Sequence, residues 1–380
     1  MIRIVADDKI PFLKGAFDGM ASIDFLPGGE IGRADLMEAD ALITRTRTKC
    51  DSSLLEGTKV RFIASATIGY DHIDTEYCSA AGIEWTNAPG CNASSVRQYL
   101  VSALLYLAAE KGLKLAGLTM GVIGVGNVGA KVAGAAAVLG MKVLLNDPPR
   151  ARKEGAGAFV SLEELQEQAD VISLHVPLNL GVDDNTFHLV DGNFIEKIKA
   201  GTILVNSSRG KVVCEADLME GIRKGKLSEV ILDVFESEPD LNPELLRMIT
   251  LASPHIAGYS LDGKANGTGM AVRAISKHFG LGLDAWQAVD VPQPGQSQIL
   301  GDAASGSFYE LLWEVFRNSY DITSDDARLR EDSDAFEYLR GSYPFRREPE
   351  AYSVRLFQGY DELRNTLEAL GFSMLADHCS

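Results

Sequence analysis

Apolar residues in this chain fall in short runs separated by longer mixed segments. Ile2-Arg-Ile-Val5, Ala41-Leu-Ile-Thr44 and Val60-Arg-Phe-Ile-Ala64 are short and apolar on both faces. This predicts strands of a buried parallel sheet, with crossover helices between them. The pattern breaks at Ala88-Pro-Gly-Cys-Asn92, where Asn92 or Ser94 can cap a long helix running to about Glu110. The apolar stretch Leu100 to Ala109 within it is too short to span a membrane and contains Ser102, so a buried helix is expected.

A second alternation begins at Leu118. Strands are predicted at 119–125, 142–146, 171–174, 202–205, 230–233 and 249–252, with helices at 127–139, 161–168 and 215–224. This is the order of a doubly wound sheet. Residues 259–283 read as another long helix, and Val291-Pro-Gln-Pro-Gly-Gln296 as a linker. Beyond it, helices near 308–318 and 360–370 and strands near 352–357 and 372–376 predict a small α+β module. The expected fold is α/β: two doubly wound, Rossmann-like parallel-sheet domains with a crevice between them, plus that module. The domains are expected at 1–95 with 257–285, at 96–256, and at 286–380.

Gly124-Val-Gly126-Asn127-Val128-Gly129 follows the strand at 119 and opens a helix, the context in which G-x-G-x-x-G indicates dinucleotide binding. Gly124 would permit the turn, Gly126 the approach of a pyrophosphate, and Gly129 close packing of helix on strand. Asp147 follows the next strand; a carboxylate there accepts from ribose hydroxyls and repels a 2′-phosphate, which favours NAD over NADP. Methyltransferases also use glycine-rich turns, but do not require what lies downstream.

Downstream, three successive strands are each followed by a polar residue: Arg209, Glu238 and His255. In open α/β sheets, ligands bind beyond the carboxyl ends of the strands. Arg209 can grip a carboxylate bidentately. His255 can take a hydroxyl proton as hydride leaves the same carbon. Glu238 would fix the imidazole tautomer and favour its protonated form. Taken singly, each has a plain alternative: a surface turn, a helix start, a structural histidine. His72, His175, His188, His278 and His378 are read as structural or exposed.

Composition narrows the partners. With a formal net charge of −17, non-specific binding to nucleic acid or to anionic membranes is disfavoured. The N-terminus reads as a strand and not as a secretory signal. Five cysteines, at 50, 78, 91, 214 and 379, form no C-x-x-C pair, which argues against disulfides or zinc and for a reducing cytoplasm. No metal is expected.

Five strings carry a resemblance: Thr67-Ile-Gly-Tyr-Asp-His-Ile-Asp74, Asn87-Ala-Pro-Gly-Cys-Asn-Ala93, Gly121 through Gly129, Asn146-Asp-Pro-Pro-Arg150 and Pro254-His-Ile-Ala-Gly-Tyr-Ser-Leu-Asp-Gly-Lys264. Through them the chain resembles the D-isomer-specific 2-hydroxy acid dehydrogenases, and among these the members acting on a small phosphorylated acid. The resemblance implies NAD-dependent oxidation of such an acid, and a homodimer with the C-terminal module as its dimerisation domain. It implies cofactor contacts at Gly124, Gly126, Asn127, Val128, Gly129, Asp147, Val176, Ser207, Ser208, Asp233 and Gly258. It implies substrate contacts at Thr46, Thr67 and Tyr259. Cys214-Glu215, Asn266 and the unusually basic Thr44-Arg-Thr-Arg-Thr-Lys49 depart from the family pattern.

A distant phosphate needs a local basic patch. Arg45, Arg47 and Lys49, with the hydroxyls of Thr46 and Thr48, are the first candidates, and Arg346-Arg347, reaching across a dimer, the second. A solvated loop is the alternative at 45–49, because neighbours on a strand end face opposite ways. Rival functions are a 3-phosphoglycerate or glyoxylate-type dehydrogenase and an NAD-sensing regulator without turnover.

Overall fold

The structure, a computed structural model, describes residues 1–181, 183–302, 306–357 and 361–375. His378, Cys379 and the outer ends of the helix expected from 360 and the strand expected to 376 lie outside the described residues. The chain divides into two compact units, Met1–Asn92 with Ser260–Pro292, and Ala93–Tyr259 with Gln293–Ser380.

The first unit holds a five-stranded sheet built from β1 (Ile2–Asp7), β2 (Ala21–Leu26), β3 (Ala41–Thr44), β4 (Phe62–Ser65) and β5 (Glu84–Thr86). Its order is β2-β1-β3-β4-β5, and all pairs are parallel. β3 and β4 are buried at every position, which is why they read as unbroken apolar runs. One face packs against Ala271, Val272 and Ile275 of the helix Leu261–Phe279, the other against Leu36, Leu55 and Cys78. β2 has no counterpart in the sequence reading. It is an edge strand whose Ser22 and Asp24 face solvent, so its apolar signal is diluted.

The second unit carries β6 (Thr119–Ile123), β7 (Lys142–Asn146), β8 (Val171–Leu174), β9 (Thr202–Asn206), β10 (Leu227–Leu232) and β11 (Leu251–Ala252). The order β11-β10-β9-β8-β6-β7 is again all parallel. The direction of winding reverses between β6 and β8, so the loops after these two strands flank the switch point.

The C-terminal residues add β12 (Gln298–Asp302), β13 (Ser353–Phe357) and β14 (Ser373–Met374), a parallel sheet in that order. Among the described residues, their buried apolar side chains join the clusters of residues 93–259. Leu312, Trp313, Phe316 and Tyr320 join Tyr99, Leu100 and Leu104 of the helix Ala93–Lys111 in one cluster. Trp313 sets its ring edge-on to Tyr106 at 6.0 Å and donates Nε1 to Glu110 at 3.2 Å. Buried polar pairs lock the contact: Ser95 Oγ donates to Glu348 at 2.8 Å and Ser102 Oγ to the Tyr320 carbonyl at 3.1 Å. The expected module at 286–380 is therefore continuous with the dinucleotide-type sheet, through contacts over two hundred positions apart in sequence. The helix Ile322–Glu331, ITSDDARLRE, was not expected because its sequence is mostly polar; only Ile322, Asp325 and Leu329 are buried.

Candidate active site

The glycine loop is shaped by steric necessity. Gly124 has φ +86, and a Cβ there would lie 2.6 Å from the carbonyl of His175 and 2.8 Å from Val176. The loops after β6 and β8 thus touch at the switch point, which places Val176 against the glycine turn. A Cβ on Gly129 would fall 2.0 Å from the Gly124 carbonyl, so the helix Asn127–Val138 seats on the turn only because that position has no side chain. At Gly126, the N-cap of this helix, nothing lies within 4 Å of a Cβ, so space is open over the first-turn amides, beside Asn127 and Val128.

Asp147 stands just after β7 and ties two elements together. Oδ2 accepts the amide of Val125 at 2.8 Å, and Oδ1 caps the helix Pro148–Glu154 through the Arg150 amide at 3.0 Å. Arg150 returns to the same loop, donating Nη1 to the Val125 carbonyl at 2.5 Å.

β9, β10 and β11 lie side by side, and the segments after them carry Arg209, Glu238 and His255. Asn206 ends β9 and organises the first segment. Its Oδ1 accepts from the amide and hydroxyl of Ser208, and its Nδ2 donates to the Arg209 carbonyl at 2.9 Å. Ser207 Oγ is buried without a protein partner, as a hydroxyl awaiting a ligand would be. Gly210 has to be glycine: a Cβ there would lie 1.8 Å from the Phe235 carbonyl, so the arginine segment is pressed onto the strand exit that leads to Glu238.

Glu238 and His255 form a direct pair, with Oε2 to Nδ1 at 2.8 Å. An ionised carboxylate only accepts, so Nδ1 carries the proton and, in the neutral ring, Nε2 is the basic nitrogen. Glu238 Oε1 accepts the Phe235 amide at 2.9 Å. Burial pushes the Glu238 carboxyl up. The His255 hydrogen bond and charge, the Phe235 amide and the Arg340 guanidinium outweigh it and hold the group below the usual carboxylate range.

His255 has φ +58, a conformation that costs a non-glycine residue about 1 kcal/mol or more and persists only where the surroundings enforce it. Asp233 supplies the enforcement. Its carboxylate is buried and accepts from Ser253 Oγ at 2.6 Å and from the amides of Ile256 and Ala257 at 2.7 and 2.9 Å. Asp233, expected beside the cofactor, therefore also anchors the histidine loop. Gly258 and Tyr259 end this loop, half-buried.

His188, read as structural or exposed, is half-buried and its Nε2 meets Glu236 Oε1 at 2.6 Å. Thr48 and Arg346 need correction as phosphate candidates. The Thr48 hydroxyl is buried and donates to the Gly28 carbonyl at 2.8 Å, so it offers nothing to a phosphate. Lys49 remains at the surface, 84% exposed, beside Asp51 at 2.9 Å. Arg346 is only 4% exposed and donates within its own chain to the Ala257 carbonyl, so it cannot reach across a dimer.

In the first unit, Arg45 is half-buried after β3 and donates to the Lys9 carbonyl at 3.2 Å, while Thr46 and Arg47 are exposed. Thr67 shares its hydroxyl with Ser65 at 2.8 Å and donates to the Gly69 carbonyl at 3.0 Å. Asn266, one of the departures, donates to the Cys91 carbonyl at 3.2 Å. Among the described residues, no cluster of His, Cys, Asp and Glu could hold a metal, and no helix is long and apolar enough to cross a membrane.

A family model described as the NAD binding domain of D-isomer specific 2-hydroxyacid dehydrogenase matches residues 99–257. The erythronate-4-phosphate dehydrogenase of Bacteroides thetaiotaomicron is 46% identical over 93% of this chain and 99% of its own. The chain belongs to the D-isomer-specific 2-hydroxyacid dehydrogenase family. A second relative of the same name, from Chromohalobacter salexigens, is 40% identical over 98% of this chain and 99% of its own. Residues 296–371 match a domain of unknown function, DUF3410. Among solved structures, D-lactate dehydrogenase from Aquifex aeolicus with NAD and lactic acid has a TM-score of 0.61 at 26% identity, covering 76% of this chain and 99% of its own. NAD-bound 3-phosphoglycerate dehydrogenase from Entamoeba histolytica has 0.62 at 27%, with the same coverage. As a member of this family the protein is an NAD-dependent oxidoreductase. The open helix N-terminus at Gly126, the carboxylate of Asp147 and the unpartnered Ser207 hydroxyl fit that cofactor.

Arg340 and Asn206 were missed by the sequence reading. Asn206 ends a predicted strand and has no motif of its own. Arg340 belongs to no motif, and its position depends on packing between segments distant in sequence.

Proposed function

We propose that this enzyme oxidises 4-phospho-D-erythronate at C2 to (R)-3-hydroxy-2-oxo-4-phosphooxybutanoate, a step of pyridoxine and pyridoxal phosphate biosynthesis. The observation that carries the chemistry is the Glu238–His255 pair on the strand exit next to that of Arg209. The substrate follows from the whole-length relatives that bear that enzyme's name.

Arg209 binds the substrate carboxylate and turns C2 toward the cofactor. His255 Nε2 takes the C2 hydroxyl proton, and Glu238 stabilises the imidazolium that results. Bound NAD supplies the hydride acceptor, held by Gly124, Gly126, Asn127, Val128, Gly129, Asp147, Val176, Ser207, Ser208, Asp233 and Gly258. Tyr259, Thr67, Thr46 and Arg45 contact the phosphorylated acid, with Arg45 the candidate for its phosphate. The measurement is NADH formation with 4-phospho-D-erythronate, D-3-phosphoglycerate and D-glycerate side by side. The first should exceed the others in kcat/KM by about tenfold or more, since a buried site loses at least that when a matched group is missing. Equal rates would remove the substrate assignment and leave the family chemistry.

The active form is a homodimer formed through the C-terminal residues. Leu300 and Phe357 are exposed on the outer face of the β12-β13 sheet, with Arg355 between them in register, its Nε buried and unpartnered. The free thiols of Cys50, Cys78, Cys91 and Cys214 suit a reducing cytoplasm.

A further inference from the structure

Residues 296–371 match a domain with no assigned role, yet two of its arginines reach the segment that carries His255. Arg340, in the helix Phe336–Gly341, donates Nε to the phenol oxygen of Tyr259 at 3.2 Å. Its side chain is 26% exposed, and it pairs with Glu337 at 3.8 Å while its charge also acts on Glu238. The Tyr259 ring stands edge-on to Tyr343 at 6.1 Å, so the phenol is fixed from two sides. Arg346 lies deeper. It donates to the Ala257 carbonyl at 2.5 Å and stacks over Tyr320 at 4.3 Å, an enclosed brace under the same loop.

We propose that Arg340 is a positioning residue of the active site, which makes the C-terminal domain a working part of the catalytic unit of its own chain. A guanidinium can only donate, so Tyr259 Oη accepts from it and its hydroxyl proton is directed to an acceptor. An acid substrate offers oxygens as acceptors. The Arg340 charge also acts on Glu238, whose carboxylate faces His255, the Phe235 amide and the more distant Glu215. A fixed cation there favours the ionised form that the histidine needs.

This inference rests on the dehydrogenase reading and on Tyr259 as a substrate contact. Wild-type turnover of 4-phospho-D-erythronate is therefore measured first, and its absence would sink that reading and not this one. With turnover in hand, Arg340→Gln, Arg340→Lys, Tyr259→Phe and the double variant Arg340→Gln/Tyr259→Phe are compared for kcat, for KM of acid and NAD, and for Tm. Arg340→Gln should raise KM for the acid about tenfold, the size of a lost charge-assisted hydrogen bond, with KM for NAD little changed. Arg340→Lys should recover a large part of the loss. In the Tyr259→Phe background, Arg340→Gln should add less than about threefold, because both changes remove one interaction. The proposal is overturned by full additivity of the two changes, by unaltered KM for the acid in Arg340→Gln, or by losses that track a lowered Tm and are not recovered by lysine.

Discussion

Glu238 accepts the Nδ1 proton of His255 at 2.8 Å with one oxygen and the amide of Phe235 at 2.9 Å with the other. The carboxylate is thereby oriented by its own strand exit before it orients the imidazole of the next. Glu238→Gln keeps the shape but can present an amide donor to Nδ1, which would shift the ring proton to Nε2 and remove the base. We expect kcat for oxidation to fall by about 10² to 10⁴-fold with little change in KM for NAD. Steady-state kinetics check this, and a loss below tenfold would mean that His255 works without its carboxylate.

Gly210 links the arginine to the same exit. Because a Cβ would lie 1.8 Å from the Phe235 carbonyl, Gly210→Ala must push β9's exit away from β10's. Overpacking of this kind costs about 1–3 kcal/mol, and it should move both Arg209 and Glu238. A lower Tm together with a raised KM for the acid is expected. A variant with native Tm and native KM would show that the loop yields freely.

Asp147 is expected to set the preference for NAD through its charge. Asp147→Asn retains an oxygen to accept from the Val125 or Arg150 amide while removing the repulsion of a 2′-phosphate. KM for NADP should drop about tenfold, and kcat/KM for NAD should fall. If NADP use is unchanged in this variant, the discrimination lies elsewhere, and Arg150 beside it becomes the residue to test.

Two half-buried histidines make the fold sensitive to acid. Burial pushes His72 down to about 4 and His175 to about 3, from an ordinary value of 6.5. The unfolded chain therefore binds protons that the folded chain refuses, and stability falls as pH drops below 6.5 toward 4. Tm should decline over that window, and His72→Asn should decline less steeply than wild type. Parallel Tm profiles for the two proteins would count against a neutral His72.

Much of this was legible in the sequence because it is local. Strands such as Lys142–Asn146 and Val171–Leu174 are short apolar runs on both faces, and the glycine turn needs only its own residues to be recognised. Edge strand β2 and the helix Ile322–Glu331 were not legible, since each buries too few side chains to leave a period. The basic run at 45–49 was legible only in part, for a different reason. Charge and spacing show which residues are available, but not that the Thr48 hydroxyl is buried and donates to the Gly28 carbonyl.

The sequence alone determined which residues are candidates for the chemistry: a dinucleotide turn, a carboxylate after the second strand, and an arginine, a glutamate and a histidine after three strands in succession. Those features depend on residue type and on position relative to a strand end, and both are written along the chain. Only the tertiary structure decided how the histidine is held. Its backbone conformation is enforced by Asp233, its carbonyl neighbour is braced by Arg346, and Tyr259 is gripped by Arg340. Arg340 stands 81 positions from Tyr259 and Arg346 stands 89 from Ala257. Such contacts exist because the C-terminal helices pack on the core of residues 93–259, Phe316 in the cluster with the helix Ala93–Lys111 and Phe336 against Phe235, and no local pattern records where a packed surface will bring a side chain.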